Sequence, residues 1–282
     1  MGNISQVLTD PSSAPAREKG GSLELRGVGK SYRVDGADLE VLRGIDLTVG
    51  RGEFVTFVGA SGCGKSTILR LIVGLDDDYD GEILLDDRPI AGPGLERSLV
   101  FQEHRLLPWL TVEENVALAL DAFPIPEKEK ARTVQEHIAL VGLAGFERAY
   151  PRQLSGGMSQ RAAIARGLVA QPELLLLDEP LGALDSLTRT YLQNELLRIW
   201  RQERVTMVMV THDVEEAVFL SDKIVILAPR PGRIERVIPV DLPHPRNRID
   251  SAFAEIRHRV LAELLHLTRT PQPPPAKGIY QI

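Results

Sequence analysis

The sequence runs to 282 residues, 43% of them hydrophobic and 26% charged. That is enough to bury a substantial core in roughly one large or two smaller domains, which excludes a chain that stays unfolded throughout. A formal charge of -6 leaves no basic surplus to offset a phosphate backbone, so nucleic acid is not an expected partner. The single cysteine, Cys63, excludes an internal disulfide framework and fits a reducing compartment.

Residues 1–21 mix Ser, Pro, Asp and Gly without a basic stretch followed by an apolar one, so a disordered tail is predicted there and not a secretory signal. Short apolar runs follow at Leu23–Leu25, Val41–Leu42, Ile45–Val49 and Phe54–Val58, separated by Gly- and Asp-bearing turns, and they read as antiparallel strands. Ile68, Leu69, Ile72 and Val73 then have the spacing of a helix packed on a sheet. From about Gly92 to Gln171 the pattern is mostly helical, with a capping-box signal at Thr111–Glu114, and it reads as an inserted helical subdomain.

Alternation resumes with a strand at Glu173–Leu177, a helix at Ser186–Arg201, a strand at Val205–Val210, a helix at Val214–Leu220 and a strand at Lys223–Leu227. That order predicts an α/β fold with a mainly parallel sheet covered on both faces. Residues 229–282 form a short C-terminal extension. Within it Phe253, Ile256, Val260, Leu264 and Leu267 mark one helix face, capped at Asp250 or Ser251, before a tail broken by Pro271 and Pro273–Pro275. No apolar run approaches the roughly 18 residues of a membrane-spanning helix, so a soluble chain is expected.

Three segments bear chemistry. Gly59-Ala60-Ser61-Gly62-Cys63-Gly64-Lys65-Ser66-Thr67 matches the phosphate-loop pattern between a strand and a helix. Its glycines permit the curl that points N–H groups at phosphates, Lys65 would neutralise them, and Ser66 would bind Mg²⁺. Cys63 sits at a helix start, where a thiolate is favoured, although a small filler is the commoner use. Leu174-Leu175-Leu176-Leu177-Asp178-Glu179-Pro180 is a buried strand ending in two carboxylates, costly unless a cation or a reaction needs them. Asp178 suits Mg²⁺, and Glu179 suits a general base for attacking water. Leu154-Ser155-Gly156-Gly157 offers a hydroxyl, two exposed amides and a helix N-terminus, which makes a second anion site.

Leu154-Ser155-Gly156-Gly157-Met158-Ser159-Gln160-Arg161 resembles the signature of ABC-type ATPases, and the resemblance extends over about residues 23–227. It implies a phosphate-loop NTPase core with an antiparallel β subdomain and an inserted helical subdomain. It also implies ATP and Mg²⁺ as ligands and a head-to-tail homodimer in which the signature of one subunit closes over ATP held by the other. By the same resemblance Tyr32 would stack on adenine, Gln102 would sense Mg²⁺ and the attacking water, Asp185 would link the two sites, and His212 would contact the γ-phosphate. Met158 departs from the family's usual glutamine.

Leu106-Leu107-Pro108-Trp109-Leu110 has no regular period; in the family this region receives a permease helix. The segment around it, together with Leu227-Ala228-Pro229-Arg230-Pro231-Gly232-Arg233-Ile234, is similar to the nitrate, sulfonate and taurine importer branch. The tail is most similar to aliphatic sulfonate importer subunits. The implied assembly is two copies of this chain, two permease subunits and an extracytoplasmic solute-binding protein, with the chain on the cytoplasmic face of the inner membrane. Taurine, nitrate or another small anion is the alternative cargo. A soluble ABC ATPase would carry two nucleotide domains or a long coiled coil, and a kinase would have no use for residues 154–157.

Overall fold

The computed structural model describes residues 20–182 and 184–269. The expected tails at 1–19 and 270–282, and Ala183, lie outside the described residues.

Strands β1 (Leu23–Val34) and β2 (Ala37–Val49) form a hairpin whose two-residue turn is Asp35-Gly36, both at positive φ, as a tight hairpin connection requires. On its other edge β1 pairs antiparallel with β4 (Asp80–Leu85), which in turn pairs with the two-residue β5 (Arg88–Pro89). These four make the antiparallel subdomain. β3 (Phe54–Val58) does not join them. It lies inside a six-stranded sheet with β6 (Arg97–Val100), β7 (Leu174–Asp178), β8 (Thr206–Thr211), β9 (Lys223–Ala228) and β10 (Arg233–Pro239), in the order β10-β9-β3-β8-β7-β6. All neighbours there are parallel except β10 on β9.

The reading of Phe54–Val58 as one of a set of antiparallel strands is thereby corrected. All five of its residues are buried, which marks a central parallel strand and not a half-exposed antiparallel one. Alternate residues feed two cores. Val55 and Phe57, with Leu174 and Leu176, meet Ile68, Leu69 and Ile72 of α1 (Lys65–Val73). Phe54 and Val58, with Leu175 and Leu177, pack into the other core, which includes α4 (Gly156–Leu168), α5 (Ser186–Glu203), α6 (Val214–Leu220) and α7 (Ser251–Arg269).

Two further expectations shift. The region from Gly92 opens with β6, an edge strand of the core sheet, so its helices begin at α2 (Val112–Ala117) and continue through α3 (Glu127–Leu140). The C-terminal extension contributes β10 as well as its helix, which buries Phe253, Ile256, Val260 and Leu267. Arg246 pins that extension down. Its guanidinium donates to the carbonyls of Val218, Ser221, Val240 and Leu242 at 2.7, 2.7, 3.0 and 3.1 Å.

Candidate active site

The phosphate loop joins β3 to α1, and its curl rests on glycine. Gly64 has φ 91°, and a Cβ there would stand 2.5 Å from Leu42 Cδ2, so neither the backbone nor the space admits a side chain. Lys65 is 7% exposed and donates to the carbonyls of Gly59 (2.9 Å) and Ala60 (3.2 Å), which folds its ammonium back over the loop. Ala60, Ser61 and Gly62 are exposed, and Thr67 is half-buried on the first turn of α1. Cys63 is fully buried, and burial raises its thiol above the ordinary value, so the expected thiolate preference is overridden and the residue is a small filler.

Ser66 Oγ donates to Asp178 Oδ1 at 3.1 Å, joining the first turn of α1 to the end of β7. Burial pushes the Asp178 carboxyl up; the Ser66 hydrogen bond opposes this, and the charge of Glu179 adds to it. A carboxylate disfavoured in this way beside a hydroxyl oxygen is a fitting donor pair for a hard divalent cation. Among the described residues no group of three His, Cys, Asp or Glu could hold a metal alone, so phosphate oxygens would have to complete the shell.

The next residue leaves the strand. Glu179 has φ 41°, while its N–H donates to the Val210 carbonyl at 3.0 Å. Its Oε2 lies 3.0 Å from His212 Nδ1, the pairing of a ring N–H with a carboxylate oxygen. A Cβ built on Gly182 would lie 3.6 Å from Glu179 Oε2 and 3.9 Å from Gln102 Nε2, so both side chains reach over one glycine. Ser66, Asp178, Glu179, His212 and Gln102 thus gather at the carboxyl ends of β3, β7, β8 and β6, the edge where open α/β sheets bind ligands. A carboxylate held against a histidine ring at such an edge can act chemically as a proton acceptor.

Ser155, Gly156 and Gly157 are placed elsewhere. Ser155 caps α4, its Oγ accepting from Met158 N at 3.3 Å, so the cap uses the backbone of Met158 and tolerates any side chain there. A Cβ on Gly157 would meet Thr188 Cγ2 at 2.7 Å and Leu192 at 3.7 Å; one on Gly156 would meet Leu184 at 3.7 Å. Among the described residues these neighbours all come from α5 and the loop before it. Asp185 caps α5, accepting from the N–H groups of Leu187 (3.1 Å) and Thr188 (3.0 Å), and the hydrogen bonds from Thr188 lower its carboxyl pKa.

Tyr32, near the end of β1, is half-buried. The structure brings together Ser66, Asp178, Glu179, Gln102 and His212, while the Cβ positions of Gly156 and Gly157 face Leu184, Thr188 and Leu192 around the helix that Asp185 caps.

Sequence reasoning missed two fasteners of this region. Arg189 donates to the Leu184 carbonyl (3.0 Å) and pairs with Asp213 (3.4 Å), and no local pattern marks it. Asp213 caps α6 through the N–H groups of Glu215 and Glu216. Its signal was present, a short acidic residue followed three positions later by Glu.

Comparison with known proteins agrees with this geometry. The domain family described as ABC transporter matches residues 42–182. A Bacillus licheniformis protein described as an aliphatic sulfonates import ATP-binding protein is 51% identical over 242 residues, covering 86% of this chain and 94% of that one. Its Bacillus subtilis counterpart is 50% identical over 234 residues, 83% of this chain and 91% of the other. A dimeric ATP-binding cassette solved in a post-hydrolysis state with ADP and Pi superposes at TM-score 0.69 and 32% identity, over 78% of this chain and all of that one. By these likenesses the chain is an ATP-hydrolysing cassette and belongs to the ABC transporter family.

Proposed function

We propose that this chain is the ATPase subunit of an importer of aliphatic sulfonates, and that it works as a head-to-tail homodimer on the cytoplasmic face of the inner membrane. One observation weighs most. A single chain gathers base, phosphate loop and cation donors at one sheet edge, while a Cβ built on Gly156 or Gly157 would meet, among the described residues, only Leu184, Thr188 and Leu192 within 4 Å. A signature so placed suits closure over nucleotide held by a second copy, which supports the dimer. Leu187 and Tyr191, 83% and 51% exposed beside it, supply apolar surface for that contact.

In this reading Tyr32 stacks on adenine, residues 59–67 hold the phosphates, and Asp185 spans the two sites. Ser66, Asp178 and Gln102 would hold Mg²⁺. When bound, the cation neutralises phosphate charge. Glu179 accepts the proton of the attacking water, and His212 holds that carboxylate in place.

The partner surface lies around Leu106–Leu110. Asn115, fully buried on α2, accepts from Leu107 N (2.7 Å) and donates to the carbonyls of Leu107, Leu110 and Thr111, which fixes the loop backbone. Trp109 is left 68% exposed, and Leu118 lines a shallow groove beside the edge strand β6. A large apolar side chain displayed by a rigid loop suits a permease helix. Among the described residues no helix is long and apolar enough to cross a membrane.

The test is ATPase activity of the chain reconstituted with its permease and extracytoplasmic binding protein. Unsubstituted alkanesulfonates such as ethanesulfonate should stimulate it more than taurine, the aminated sulfonate, or nitrate. Preference for either of those would reassign the cargo, and failure of the chain to associate with any permease would end the transport reading.

A further inference from the structure

The segment after α1 reads Leu75-Asp76-Asp77-Asp78-Tyr79-Asp80, and no role in hydrolysis absorbs it. Asp76 nevertheless divides its carboxylate between two groups. Oδ2 accepts the Tyr32 hydroxyl at 3.0 Å, and Oδ1 accepts Lys30 Nζ at 2.8 Å. Lys30 is 3% exposed, an expensive site for an ammonium unless it is fully paired. It is paired further with the Asp78 carboxylate at 3.3 Å and with the Asp78 carbonyl. The same Nζ sits 4.7 Å from the centroid of the Tyr32 ring. Burial alone would raise the Asp76 carboxyl, yet the bonds from Lys30 and Tyr32 hold it below its ordinary value. The ring is thus fixed at its hydroxyl by one charged group and backed by another.

The placement of Asp76 gives this network a use. It follows α1 by three residues, and α1 is the nine-residue helix whose first turn belongs to the phosphate loop. At about 1.5 Å per residue that helix spans about 13 Å. Asp76 therefore ties Tyr32, on β1 of the antiparallel subdomain, to the far end of the element that cradles phosphate. We infer that Asp76 and Lys30 are positioning residues for the purine: they hold the Tyr32 ring at a set distance from the phosphate loop, so that a nucleoside triphosphate meets base and phosphate contacts already in register. Lys30 occupies one ring face and the purine takes the other. This rests on the assignment of Tyr32 to adenine stacking.

The experiment compares equilibrium Kd for a non-hydrolysable ATP analogue and for inorganic triphosphate, using the full-length chain and Asp76→Ala, Lys30→Met, Tyr32→Phe and Tyr32→Ala. Asp76→Ala and Lys30→Met should weaken the ATP analogue about fivefold to tenfold, the scale of one ordinary hydrogen bond because these residues act through the ring, and leave triphosphate unchanged. Tyr32→Phe, which removes only the hydroxyl, should weaken it about twofold to fivefold. KM for ATP should rise by the same factors while kcat at saturation moves less than about twofold, the mark of lost uniform binding. In the Tyr32→Ala background Asp76→Ala should have no further effect, because it acts through the ring. A normal ATP-analogue Kd for Asp76→Ala and Tyr32→Phe alongside a weakened Tyr32→Ala would overturn the positioning role and leave stacking intact. Equal weakening toward triphosphate, or additivity with Tyr32→Ala, would overturn it as well. A normal Kd for Tyr32→Ala would remove the stacking assignment and this inference with it.

Discussion

Replacing Glu216 by Gln should make the protein more stable relative to the native chain as pH rises. Glu216 is on the first turn of α6, 3% exposed; its Oε2 accepts the Thr211 hydroxyl at 2.6 Å, and its Oε1 has no partner. Burial raises its pKa most and the nearby Asp213 adds to this; the Thr211 hydrogen bond, Arg189 and His212 pull the other way, and the net result is a climb from 4.5 to about 7. At about 1.4 kcal/mol per pH unit that climb is worth about 3 kcal/mol. Because the folded-state value is raised, the contribution is fully present below the unfolded pKa of about 4.5 and is lost as pH rises through about 7. Gln keeps the acceptor for Thr211 and does not titrate. Urea unfolding of both proteins between about pH 5 and about pH 8 should therefore show the gap moving by about 2 to 3 kcal/mol in favour of the variant. Parallel stability curves would show that Glu216 is not neutralised by burial, and a gap that widened toward acid would reverse the sign of the argument.

Glu179→Gln should bind ATP normally, hydrolyse it at least about a hundredfold more slowly and accumulate a dimer in size-exclusion chromatography with ATP; brisk turnover would remove Glu179 as the base. Ser155→Trp should leave ATP binding to the monomer unchanged while abolishing hydrolysis, and normal turnover would separate the signature from the reaction. Arg246→Ala leaves four carbonyls without their donor and should cost about 3 to 5 kcal/mol in chemical unfolding, whereas a loss below about 1 kcal/mol would mean that water replaces the guanidinium.

What could be read from sequence was what is local. The phosphate loop and the Leu174–Glu179 run need particular residue types at consecutive positions, and they lie between β3 and α1 and at the end of β7; Ser155, read as part of an anion site with two exposed glycines, instead caps a helix that starts at Gly156 and buries Gly157. The α4 cap and the capping box of Thr111 and Glu114 follow from side chains reaching three residues along. Pairings across the chain were not legible. β6 is four residues long, and β10 buries only one residue of seven, so neither leaves a period strong enough to separate it from loop; both are strands because a sheet edge offers them partners. The hydrogen bonds of Tyr32 with Asp76, 44 residues away, and of Arg246 with Val218, 28 away, depend on a fold already formed. Phe54–Val58 looked like its hairpin neighbours because a run of five apolar residues names no partner; only full burial on both faces distinguishes it.

Glu179, the proposed base, shows how the backbone and the chemistry depend on each other. Side chains alternate faces along a strand, so Asp178 and Glu179 in unbroken β geometry would point to opposite sides of the sheet. Asp178 ends β7 and meets Ser66, and the next residue turns to φ 41°, which brings the Glu179 carboxylate to His212 and Gln102 instead. That conformation costs a residue bearing a Cβ about 1 kcal/mol, and it is held by the Glu179 N–H bond to Val210 and the Gly182 N–H bond to the Glu179 carbonyl. Glycine avoids the cost. Glu179→Gly should therefore be more stable than Glu179→Ala by about 1 kcal/mol, the reverse of their order at an ordinary strand or helix position, although both lose hydrolysis. Denaturation of the pair decides the matter, because neither variant has a side chain able to reach His212 and they differ only by the methyl group that the left-handed region disfavours. If Ala is as stable as Gly, residue 179 relaxes out of the left-handed region once its carboxylate is gone, and the turn is then maintained by the contact with His212 and not by the chain around it.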